Sequence, residues 1–96
     1  MKDCLTVKIL TVDHQIPVTE CDTVLLPVAD SVNGHFSGCY GIKKGHARTV
    51  FSLKAGELVL SDNGKSVLEA HISGGFAIVD QNEVSIMVDK IEEKVI

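Results

Sequence analysis

No tryptophan occurs in these 96 residues, and only one tyrosine and three phenylalanines do. So few aromatics supply neither a base-stacking platform nor an aromatic sugar shelf. Arginine occurs once, at Arg48, and the formal net charge is −4. No basic stripe is left to follow a phosphate backbone, which argues against nucleic-acid binding. Cysteine is scarce and odd in number, at Cys4, Cys21 and Cys39. That count suits a reducing, cytoplasmic compartment better than a disulfide framework, with the thiols as small apolar fillers of strands. Long apolar runs are missing as well. Thr6, Lys8 and Thr11 interrupt the stretch a secretory signal needs, and nothing approaches the ~20 apolar residues of a membrane span. Any membrane contact is then indirect, through a partner.

What is present is a globular balance, 45% hydrophobic and 23% charged, which predicts one folded domain over residues 1–96. A domain this small buries only about 60–65% of its unfolded surface, so exposed apolar patches call for a partner.

The dominant period along the chain is two. Leu5, Val7 and Ile9 alternate with Thr6 and Lys8 as a half-buried strand, followed by a break near Asp13 and His14. Ile16 and Val18 form a short segment, and Val24–Leu26 lead into Pro27, which must sit at a strand end or edge. Gly34, Gly38, Gly41 and Gly45 punctuate the least regular region and predict tight turns between very short strands. Extended pattern resumes over 47–53 and 57–60, around a turn at Lys54–Gly56. Asp62-Asn63-Gly64 marks a hairpin, for which a three-residue bulged loop pairing Leu58 with Leu68 fits the hydrophobic pattern better than a two-residue loop. Phe76–Val79 and Val84–Val88, joined across Gln81 and Asn82, make the last hairpin, with Phe76 expected as a buried anchor behind Gly74 and Gly75. Helical spacing appears only at Met87, Ile91 and Val95, enough for a stub. The count of segments predicts an all-β fold, a sandwich of about ten short strands with at most a short C-terminal helical stub.

No catalytic constellation emerges. His35, Cys39 and His46 lack the paired spacing of a zinc site. Gly34–Gly38 is not a nucleophile elbow, and the glycines spell neither G-x-G-x-x-G nor a P-loop. No catalytic residue, metal or cofactor is therefore expected. Lys43, Lys44, His46 and Arg48 concentrate positive charge between Gly41 and Gly45 and beyond, either as a solvated loop or as a docking surface for an acidic protein face.

Gly41-Ile42, Gly45-His46-Ala47, Val50, Leu53 and Gly56, then Ile72-Ser73-Gly74-Gly75-Phe76, Val84, Ile86 and Val88, form an ordered set that resembles the epsilon subunit of F-type ATP synthase. Upstream, Val24-Leu25-Leu26-Pro27 matches the strand and proline before the family's glycine loop, and the likeness covers residues 3 to 90. The resemblance implies a flattened β-sandwich and a non-enzymatic central-stalk role. Such a subunit grips the gamma subunit and rests on the c-ring of a proton-translocating ATP synthase, peripheral to the cytoplasmic face of a bacterial inner membrane. By that likeness Lys44, His46 and Arg48 are expected to face gamma, and Asn33, His35, Phe36, Ser37 and Tyr40 to face the c-ring.

Three features depart from the family pattern. Lys43-Lys44 replaces Leu-Pro, and Arg48 replaces proline. An insertion lengthens the loop around Ser31–Ser37. Longer relatives add two helices where this chain reaches Ile96, so their inhibitory arm is not expected here. The rival reading is a stand-alone β-sandwich that binds a small polar ligand, with a zinc or cysteine enzyme behind it.

Overall fold

The period-two runs become ten strands in a computed structural model that describes residues 4–12, 16–28, 38–45 and 47–94. They are β1 (Leu5–Leu10), β2 (Thr19–Cys21), β3 (Thr23–Val28), β4 (Gly38–Lys43) and β5 (Thr49–Leu53), then β6 (Gly56–Asp62), β7 (Lys65–Ile72), β8 (Gly75–Asp80), β9 (Glu83–Val88) and β10 (Ile91–Glu93). No helix occurs among the described residues.

The strands form one hydrogen-bonded path in the order β10-β7-β6-β3-β5-β8-β9-β1-β2, with β4 added to β3. β1 and β9 run parallel; the other pairs are antiparallel. The path folds over at β3. Its residues Thr23–Leu25 pair with β6, whereas Val28 pairs with Leu53 of β5. Pro27, which has no N–H to donate, lies where the partner changes from β6 to β5, and its carbonyl accepts from Lys54 N at 2.9 Å. Gly56 is needed beside it, since a Cβ there would come within 2.8 Å of the proline ring.

The inner faces of the two halves share one apolar core. Val24, Leu26, Leu58, Leu60, Ala70 and Ile72 come from one half, and Val7, Ile9, Ala77, Val79, Val84 and Ile86 from the other. No polar or charged side chain is buried among the described residues. Inward positions alternate with outward ones along the strands, as in the pattern of β1, where Leu5, Val7 and Ile9 are buried and Thr6 and Lys8 are not.

The β6–β7 hairpin corrects the expected register. Asn63 (φ 57°) and Gly64 (φ 80°) form a two-residue turn closed by Asp62 and Lys65, and the bulge lies in the strand, where Leu60 pairs with Leu68 but Ser61 with Ser66. Val67 is the extra residue. The shift sets Leu60 against Leu68 and Leu58 against Ala70, apolar against apolar, which neither loop alone would achieve.

Other boundaries also differ from the sequence pattern. Gly38–Lys43 is one strand rather than a series of turns, because Tyr40 and Ile42 lie opposite Leu26 and Val24 on the core side. Ile16 is buried but precedes β2. The helical spacing at the end is not used: Met87 belongs to β9, and Ile91–Glu93 pair with β7, placing Ile91 in the core. A free strand edge offers these residues backbone partners that a one-turn helix lacks. Val95 falls outside the described residues, as do the break at Asp13 and His14 and the inserted loop.

Candidate docking face

Outward residues follow from the same alternation. Across β5, β8, β9 and β1, register places Val50 beside Ile78, Ser85 and Lys8 in one row. The next row holds Ser52, Phe76, Met87 and Leu10. Val50 is 66% exposed, Phe76 54% and Leu10 56%, and Val12 just beyond β1 is 82% exposed. Val50, Ile78, Phe76, Met87 and Leu10 make an apolar surface, bordered by Ser52, Ser85 and Lys8, on the outside of a sheet whose inside is already filled. A cleft of about 440 Å³ opens at one end of it, between Leu10, Thr11 and Val12 on one side and Phe76 and Met87 on the other.

Phe76 is thus not the expected core anchor. The glycines before it do mark a close approach: Gly75 has φ +145°, and a Cβ there would overlap the Met87 carbonyl oxygen. That approach turns Ala77 and Val79 inward and Phe76 and Ile78 outward. Sequence reasoning also passed over Val50, Ile78, Met87 and Leu10. A run such as Phe76-Ala77-Ile78-Val79 has no polar member to betray which face is wet, so it reads as doubly buried. The available signal was size: small Ala77 suits a tight interior, and the bulkier pair falls on the other parity.

Charges rim the apolar surface at the end opposite the cleft. Arg48 Nε lies 3.8 Å from Asp80 Oδ2, and Lys8 Nζ lies 3.5 Å from Glu83 Oε1. Lys44 is exposed in the turn after β4, where Gly45 N donates to Asn82 Oδ1 at 3.3 Å and ties that turn to the β8–β9 turn. Lys44 and Arg48 are therefore gathered at one end of the sandwich. His46 lies outside the described residues, as do Asn33, His35, Phe36 and Ser37. The strand residues flanking that last segment, Val28 and Gly38, pair at the far end of the β3–β4 ladder from Thr23 and Lys43. Tyr40 is in β4 itself, half-buried, with its ring 4.9 Å from that of Phe51 at an interplanar angle of 40°.

The other outer face, on β6, β7 and β10, is charged. Lys94 Nζ lies 2.9 Å from Glu57 Oε1, and His71 Nδ1 lies 3.8 Å from the same oxygen. The Lys94 ammonium holds the Glu57 carboxyl below its ordinary value, and Glu57 in turn raises Lys94. At the turn end, the main-chain N–H of Asn63 donates to Asp22 Oδ2 at 2.9 Å and lowers that carboxyl too.

Burial pushes the Cys21 thiol up to about 11, the reverse of an activated nucleophile. Among the described residues no group of three His, Cys, Asp or Glu is disposed to hold a metal ion.

Comparison with known proteins agrees with this architecture. The family model described as "ATP synthase, Delta/Epsilon chain, beta-sandwich domain" matches residues 4–94. The chloroplastic ATP synthase epsilon chain of Thalassiosira pseudonana is 30% identical over 93 residues, covering 95% of this chain and 62% of that one. The ATP synthase epsilon chain of a Cyanothece species is 33% identical over 88 residues, covering 92% and 58%. This chain thus spans about three fifths of the length of these curated relatives. Among solved structures, a chain of the Euglena gracilis mitochondrial ATP synthase assembly of OSCP, F1 and c-ring superposes with a TM-score of 0.80 at 23% identity, over 97% of this chain and 55% of that one. A chain of the Tetrahymena thermophila mitochondrial ATP synthase central stalk and c-ring gives 0.70 at 14% identity, over 92% and 65%. At such identities the two superpositions speak for the fold.

Proposed function

Since the chain belongs to the ATP synthase delta/epsilon β-sandwich family, we propose that it is a non-catalytic central-stalk subunit of a proton-translocating ATP synthase, binding gamma and the c-ring so that ring rotation is passed to the catalytic head. The observation that carries the reading is the apolar outer face of β5, β8, β9 and β1 in a member of this family. Gamma covers that face, with Lys44 and Arg48 at its charged rim, and His46 between them in the sequence, setting orientation and rate of encounter. The c-ring contacts the segment with Asn33, His35, Phe36 and Ser37, together with Tyr40 at the adjoining strand. One contact to each of two partners on a single folded domain is what torque transfer between them requires.

The subunit does no chemistry in this reading and uses no cofactor. It is peripheral, on the cytoplasmic face of a bacterial inner membrane, and meets the membrane only through the complex. Purification of the tagged protein from detergent-solubilised membranes should recover gamma and the c-ring together. Depleting the protein should leave ATP hydrolysis that no longer pumps protons. Recovery of a free monomer from cells that contain an intact ATP synthase would overturn the proposal.

A further inference from the structure

We draw no further inference here: the strongest candidate, the cleft between Leu10, Val12, Phe76 and Met87 on the outer face of β8, β9 and β1, belongs to the site already described.

Discussion

The outer face of β5, β8, β9 and β1 sets Val50, Ile78, Phe76, Met87 and Leu10 side by side, whereas the outer face of β6, β7 and β10 carries Glu57, Glu69, His71, Glu92 and Lys94. Both faces cover the same core, and both inner surfaces are apolar. Stability therefore cannot explain the difference. The charged face pairs its own groups: its Lys94 and His71 both turn to Oε1 of Glu57. The apolar face leaves large parts of its side chains in contact with water, and it raises the risk of self-association. Such a surface is understandable as one half of an interface.

The largest effect should come from crossing from outside to inside. Ile86→Ala removes a fully buried side chain and is expected to cost ~2–5 kcal/mol, a large part of the stability of so small a domain. Phe76→Ala removes more atoms from a neighbouring strand yet should change stability by less than about 1 kcal/mol, because the ring is already wet. Paired denaturant titrations measure both. Equal losses would mean that Phe76 is packed after all and the apolar face is not free.

Partner binding should reverse that ranking. Phe76→Asp combined with Met87→Lys puts charge on two neighbouring side chains of the apolar face and should weaken gamma binding by more than about tenfold. Glu57→Gln on the charged face should leave binding unchanged. Calorimetric titration of purified gamma with each folded variant reads the difference. If the Glu57 variant lost binding and the apolar-face variant kept it, the assignment of faces would be inverted.

Much of this plan was legible in the sequence, and the parts that were not share a cause. Alternation located seven of the strands, β1, β3 and β5 to β9, closely enough to predict an all-β sandwich, because residues such as Leu5, Val7 and Ile9 stand beside polar neighbours, whereas β2 lies a few residues beyond the expected segment and β4 was expected as turns. Parity failed where both neighbours are apolar, which is why Phe76 was expected inside. The bulge at Val67 was expected in the turn because propensity locates Asn63-Gly64 but only cross-strand pairing reveals where an extra residue is absorbed. The tenth strand was masked by i, i+4 spacing among Met87, Ile91 and Val95, a local pattern overridden by the free edge of β7. The charged cluster at Lys44 and Arg48 was visible as composition, but not its position at the rim of an apolar face, which depends on β5 pairing with β8.

Acid should act on the polar parts of the molecule first. Asp22 and Glu57 both titrate below their ordinary values of 3.8 and 4.5 in the folded chain, so each contributes stability that is present above its unfolded value and is lost as pH falls through the folded one. Lys94, raised above 10.5, adds the complementary limit: its contribution is full below that value and fades as pH rises past the folded one. Thermal midpoints should thus fall below about pH 4.5. Asp22→Asn should flatten the acid limb, since the amide oxygen still accepts from Asn63 but no longer titrates. A variant with an unchanged acid limb would show that the Asn63 contact carries no pH dependence.

The smallest expected effect tests the rim of the apolar face. Arg48 is exposed and its separation from Asp80 is 3.8 Å, so the pair is weak and screened, and Arg48→Glu should barely change folding. The substitution nevertheless reverses a charge in the cluster with Lys44, and two carboxylates then face each other at the edge of the docking surface. Exposed charges of this kind steer encounter over roughly a Debye length, about 30 Å at 0.01 M salt and 10 Å at 0.1 M. Association of gamma with the variant should accordingly slow several-fold at low salt, converge on the unsubstituted rate as salt rises, and leave dissociation nearly constant. Stopped-flow mixing across that salt range separates the two rates. A loss that persists at high salt and appears in dissociation would place Arg48 inside the interface, and equal rates at low salt would leave Lys44 and Arg48 as a solvated turn beside a purely apolar contact.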